Sequence, residues 1–180
     1  MTIDIRLVRP SVAYEATFLR ALDAFQREGL PWWRGPGLDL ARSDFARFVA
    51  AKLAEATPDA DDGSESGRVP KTQLWAIAGA ELVGRIGIFH RLTEQLRRDG
   101  GHIGYDTVPS WRGRGVATAM LREGLAVARG LGLNEVLLTC DEGNAASIAV
   151  IEKNGGSGFE RRSPGPGRPM KRYYWLATTK

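Results

Sequence analysis

The chain has 180 residues, 43% of them hydrophobic and 26% charged, with a formal net charge of +4. That length supports one sizeable core, and no apolar run reaches the roughly 18 residues of a membrane span. One cysteine, Cys140, and two histidines leave neither a disulfide framework nor enough ligands for a conventional zinc site, while the modest basic excess favours anionic ligands without identifying one.

The opening MTIDIRLVRP carries an early Asp and no long apolar core, so it does not read as a secretory signal, and a cytoplasmic location is expected. IDIRLVRP alternates apolar and polar residues and stops at Pro10, which predicts a first strand. Ser11 can cap a helix from Val12 to Glu28, whose Phe18, Leu22 and Phe25 recur at helical spacing. GLPWWRGPG breaks that pattern, and a second helix is predicted from Asp39 to Ala56. The acidic TPDADDGSESGRVP then reads as a solvated loop rather than a domain boundary. TQLWAIAG and ELVGRIGIFH, parted by a short glycine turn, predict an antiparallel hairpin. GGHIGYDTV is a further strand ended by Pro109, and Val116 to about Leu131 is helical. NEVLLTC reads as a buried strand, NAASIAVIEKNGG as a short helix stopped by glycines, and FERR and KRYYWLAT as closing strands. This order predicts an α+β (mixed α/β) fold: a central, mostly antiparallel sheet of six or seven strands flanked by helices. Residues 1–180 are read as a single domain, with a two-helix arm over about 1–70 and a core over about 71–180.

One stretch carries the chemistry. Arg112-Gly113-Arg114-Gly115-Val116-Ala117 lies between a strand and a helix. The first turn of a helix has amides without internal partners and the positive end of the helix dipole. Glycines allow a sharp turn and close approach of a ligand, and guanidinium matches phosphate geometry. A phosphate-bearing anion is the expected guest. The Walker pattern is absent, and the dinucleotide fingerprint fits poorly because Val-Ala-Thr follows the second glycine.

The pattern R/Q-x-x-G-x-G/A does fit, with Arg112, Gly115 and Ala117 at its fixed positions. YDTVPSWRGRGVATAML and, further on, CDEGNAASIAVIEKNGG follow in the order expected of two landmarks of one family. The sequence resembles the Gcn5-related N-acetyltransferase (GNAT) family, in a bacterial-type branch. The resemblance implies that the loop, Arg112 to Ala117, holds the pyrophosphate of acetyl coenzyme A. It further implies that Asn144 hydrogen-bonds the coenzyme arm. Ser147 one turn on faces the same side, and Lys153 reaches either the coenzyme phosphates or only solvent. For Asn144 a helix N-cap is an equally sound reading.

Attack of an amine on a thioester needs a base, donors for an oxyanion and, in some enzymes, an acid. The resemblance points to the backbone amide of Val108, at a bulged end of the fourth strand, as the oxyanion donor. His102 stands six residues earlier on the same face as Val108 and Asp106 and is the candidate base. Its competing reading is a structural histidine, and His90 is a second candidate. Asp106 is placed to bind a substrate ammonium. Where many relatives carry a tyrosine this chain has Ile151, which cannot donate a proton; Tyr105, Tyr173 and Tyr174 are substitutes among which the sequence does not choose. Cys140 reads as a small core residue.

Trp32 and Trp33 are candidates for an acceptor wall or for a plug over the sheet. The predicted activity is acetyl transfer from acetyl coenzyme A to a primary amine of a small molecule or peptide, by direct attack in a ternary complex. No metal, nucleic acid or membrane is expected as a partner, and a homodimer is left open. The alternative is an acyl-coenzyme-A-binding regulatory module without catalysis.

Overall fold

A computed structural model describes residues 3–29, 33–57 and 68–178. The first strand, β1 (Arg6–Val8), is shorter than the alternation predicts. Ser11 accepts a hydrogen bond from the Ala13 amide and so caps a 3-10 turn, Val12–Tyr14, which leads into α1 (Glu15–Arg27). The predicted second helix is two helices, α2 (Pro36–Ser43) and α3 (Phe45–Ala54). They break at Asp44, whose extended backbone (φ −155°) frees its carboxylate to accept from the Arg47 amide at 2.9 Å. A mid-segment Asp prefers to cap rather than to sit inside a helix.

The hairpin is confirmed: β2 (Lys71–Ala78) pairs antiparallel with β3 (Glu81–Phe89). A short helix that the sequence reading passes over, α4 (Glu94–Arg98), is capped by Thr93 and leads to β4 (Ile103–Thr107). After a 3-10 turn at Pro109–Trp111 come α5 (Val116–Gly130), β5 (Glu135–Asp141), α6 (Ala145–Lys153), β6 (Glu160–Arg162) and β7 (Lys171–Ala177). Among the described residues, seven strands form two antiparallel sheets, ordered β1-β2-β3-β4 and β5-β7-β6.

Helices cover both faces of the first sheet because its strands present apolar residues to both sides. Trp75 and Ile77 of β2 pack with Phe18, Phe25, Phe45 and Phe48 of α1 and α3. Leu74, Ile86, Ile88 and Ile103 pack on the other face against Leu121 of α5, in a cluster that also takes in Ile151 of α6. Among the described residues, no helix is long and apolar enough to cross a membrane.

Among the described residues, the backbones of the two sheets join where Gly101 bridges to Leu138 and the His102 amide donates to the Leu137 carbonyl at 2.7 Å. Gly101 has φ +76°, and a Cβ there would collide with the Leu137 carbonyl, so only glycine permits the approach. Beyond this junction no ladder joins β4 to β5. A gap in an otherwise closed layer results.

Candidate functional site

The loop leading into α5 turns on Gly113 (φ +72°) and Gly115 (φ +81°), left-handed conformations that other residues adopt only with strain. A Cβ at either would meet nothing within 4 Å, so the space before the loop is open. Gly115 is the N-cap of α5 and supplies no side chain to cap it. Among the described residues, none of the amides of residues 113–118 makes a hydrogen bond of normal geometry to the protein. Gly113, Arg114 and Gly115 are exposed, so unpartnered amides and the positive end of a 15-residue helix stand at the surface here, with Val116 buried beneath them.

The two arginines of the loop differ. Arg112 reaches away from the open space: it donates to both carboxylate oxygens of Glu28 at 2.6 and 2.7 Å and to the Thr107 carbonyl at 3.2 Å. It ties the loop to the C-terminal end of α1. Arg114 lies over the Trp111 ring, 5.3 Å from its centroid, and carries the positive charge of the loop that no carboxylate neutralises among the described residues.

Between β4 and β5 lies a cleft of about 210 Å³, lined by Ile103, Gly104 and Tyr105 on one side and Leu138 and Thr139 on the other. Ser147 and Ile151 of α6 and the ion-paired Asp99 and Lys171 add to its wall. The same helix adjoins the loop, since Asn154 at its end donates to the Thr118 carbonyl in the first turn of α5 at 3.2 Å.

The alternation of antiparallel pairing decides which backbone groups line this cleft. The Phe89 amide bonds the His102 carbonyl and the Val108 amide bonds the Val83 carbonyl, at 2.8 and 2.9 Å. Even-numbered residues of β4 thus point their backbone groups to β3, and Ile103, Tyr105 and Thr107 point theirs toward the cleft. Val108 is corrected accordingly: its amide is already used inside the sheet. The expected bulge also lies elsewhere, between Ala76 and Ile77 of β2.

His102 likewise has another task. It is 6% exposed, and its Nδ1 accepts the Leu137 amide at 2.8 Å. An imidazole that accepts at Nδ1 carries its proton on Nε2, so neither nitrogen offers a free lone pair. Burial, with Arg97 adding repulsion, lowers its pKa to about 4 and keeps it neutral. The ring sutures the two sheets. His90 bonds Thr72 through Nε2 at 2.8 Å, and burial lowers its pKa too.

Tyr105 is one of the polar groups of the cleft, with Asp99, Thr139, Ser147 and Lys171. Its hydroxyl is buried without a hydrogen-bond partner of normal geometry. Burial raises its pKa to about 12 against a smaller opposing pull from Ser147, so the O–H stays protonated. Asn144 caps α6, its Oδ1 accepting the Ser147 amide at 3.0 Å. Ile151 is buried, and Lys153 is exposed outside the cleft. Cys140 is buried and reduced, with its pKa raised by burial.

On the other side of β4 a second hollow of about 230 Å³ opens on the sheet face. It shares Gly104 and Tyr105 with the first cleft. Its floor is Gly87 and Gly104, register partners with no side chains, and Gln73 stands opposite Gly87 on β2. Lys71 and Phe89 form one wall, Arg85 and Asp106 the other. Asp106 accepts from Arg85 Nε at 3.0 Å, and the Arg85 guanidinium lies 3.6 Å from the centroid of the Trp33 ring. Trp33 is 1% exposed and stacked on Phe25 at 3.9 Å, so it backs Arg85 rather than facing the hollow. Trp32 lies outside the described residues. Sequence reasoning missed Lys71, Gln73, Arg85 and the two glycines. Their signal was present as alternation, because Lys71-Gln73, Arg85-Gly87 and Gly104-Asp106 each fall on one face, but it shows only once the strands are in register.

A family model described as an acetyltransferase (GNAT) domain matches residues 5–157. No curated protein sequence matches significantly. Among solved structures, the microcin C7 self-immunity acetyltransferase MccE in complex with acetyl-CoA and AMP aligns at TM-score 0.67 and 13% identity, over 97% of this chain and 92% of that one. The ribosomal L7/L12 alpha-N-protein acetyltransferase RimL in complex with coenzyme A aligns at 0.66 and 14%, over 98% and 95%. RimJ of Mycobacterium smegmatis in complex with CoA-disulfide aligns at 0.63 and 21%, over 96% and 80%.

Proposed function

The chain belongs to the GNAT acetyltransferase family, and from that premise we propose that it moves an acetyl group from acetyl coenzyme A to a primary amine by direct attack in a ternary complex. The observation that carries the reading is the run of unpaired amides at residues 113–118, with open space before Gly113 and Gly115. Amides so arranged suit a diphosphate. Arg114 adds its charge, and Arg112, held by Glu28, keeps the loop in shape. Acetyl coenzyme A, when bound, supplies an activated thioester.

The outward backbone edge of β4 offers the peptide-like groups that an extended amide-bearing arm needs, and Ser147 lines the same cleft. Donors for the developing oxyanion are the outward amides of Tyr105 or Thr107, in place of Val108. The Tyr105 hydroxyl, kept protonated by burial, donates to the departing thiolate. His102 does not serve as the base, and the acceptor loses its proton to solvent. Rates then rise with pH toward the pKa of the acceptor amine and show no limb near the ordinary histidine value of about 6.5. A cytoplasmic location, with access to acetyl coenzyme A, belongs to the same reading.

Thiol release across an amine panel, with calorimetric titration of acetyl coenzyme A, tests it. Binding with release supports the transferase. Binding without release for every amine leaves the regulatory module, and no binding removes both.

A further inference from the structure

The hollow behind β4 has a charge pattern that says what kind of amine fits it. Its floor lacks side chains where Gly87 and Gly104 stand in register. Lys71 leans across that floor: a Cβ at Gly87 would lie 2.5 Å from Lys71 Cε. The ammonium sits 5.2 Å from the Phe89 ring centroid and has no hydrogen bond or ion pair among the described residues.

The neighbouring charges are already matched. Arg85 is paired with Asp106, and Lys52 with Glu55 at 2.6 Å. Glu55 draws on Lys71 only through space, its backbone carbonyl taking the Lys71 amide. Among the described residues, what remains facing the hollow is one half-buried cation with no carboxylate bonded to it. Desolvation lowers its pKa from the lysine value, so a bound anion would relieve a real cost.

We propose that the acceptor of this transferase is a compact amino acid whose carboxylate pairs with Lys71, with its amine directed over Gly104 to the thioester cleft. This rests on the acetyl-transfer reading and deepens it. The space suits the size: about 230 Å³ is below the range for drug-sized ligands and near that of one amino acid. The direction is set by Gly104, which lines both clefts, and a Cβ there would meet nothing within 4 Å. Asp106, across the floor from Lys71 and held by Arg85, faces the amine end. An acceptor lacking the carboxylate leaves the ammonium unpaired in its half-buried setting and loses affinity.

The experiment measures thiol release from acetyl coenzyme A with the L-α-amino acids, their carboxamides and their decarboxylated amines. For at least one amino acid, kcat/KM should exceed that of its carboxamide about 50-fold, mainly through KM, and Lys71→Met should shrink the ratio to about threefold while Lys71→Arg keeps most of it. Carboxamides or simple amines that match their parent acids overturn the inference, as does a preference that survives in Lys71→Met or a failure of every amino acid to react. Calorimetric titration of acetyl coenzyme A separates the two levels. If the coenzyme binds and amines react without regard to a carboxylate, only this inference falls. If the coenzyme does not bind, the transfer reading beneath it falls as well.

Discussion

The two ends of β4 are built on opposite principles. At its start, Gly101 and His102 stitch the strand to β5 through a bridge, a backbone bond and a side-chain bond, with every polar partner supplied by the protein. At its end, the chain passes from Val108 through a 3-10 turn into a loop whose amides are left without partners. Buried polar groups must be satisfied internally, whereas groups reserved for a ligand must not be. On the proposed function, the difference separates residues that hold the site together from residues that act in it, and the bond from the Leu137 amide puts His102 in the first class.

The largest expected effect breaks the open end. Gly115→Val puts a β-branched side chain at φ +81° and into the space before the loop. Acetyl coenzyme A affinity by calorimetry should fall about 100-fold, close to 3 kcal/mol, with the fold retained by circular dichroism. Unchanged affinity would mean that the loop does not hold the coenzyme.

The closed end responds in stability rather than chemistry. His102→Ala leaves the Leu137 amide buried without its acceptor and should cost about 1–3 kcal/mol in urea unfolding. Turnover per folded molecule should stay within about threefold of wild type, well short of the 10²–10⁴-fold that a general base contributes. A loss of a hundredfold or more would restore the imidazole to the reaction. The pH dependence sharpens the same contrast. With a folded pKa of about 4 against 6.5 unfolded, the unfolded state binds the proton more readily. This contribution is complete above pH 6.5 and is lost as pH falls through that window to 4. His102→Asn, which cannot titrate, should lack that part of the acid sensitivity.

A smaller effect tests the clamp between the regions. If Arg112 acts by holding the loop to Glu28, Arg112→Ala and Glu28→Gln should weaken coenzyme binding alike, by about three- to tenfold, as suits a half-exposed bidentate pair. If Arg112 instead grips phosphate directly, Glu28→Gln would leave affinity intact or raise it.

Much of the frame was legible along the chain. The β2–β3 hairpin follows from two apolar runs about a glycine turn, and α5 and α6 start within a residue or two of the positions that their spacing predicts. Asp44 was misread because a helical stripe continues past it, while its carboxylate prefers to start a new helix. Val108 was misread by one residue, since parity along β4 depends on the register with β3, which sequence periodicity does not contain.

What the sequence by itself determined is whatever depends on neighbours in the chain: the order of the strands and of the longer helices, the glycine turn before α5, the start of α5 and the Asn144 cap. These rest on local backbone energetics and side-chain spacing. Tertiary structure alone decided that Arg112 would be taken by Glu28, that His102 would satisfy Leu137, and that Gly87 and Gly104 would meet to open a hollow beneath Lys71. Each of those outcomes depends on groups brought together from distant segments, and a side chain's role follows from which of its bonds such a partner has already filled.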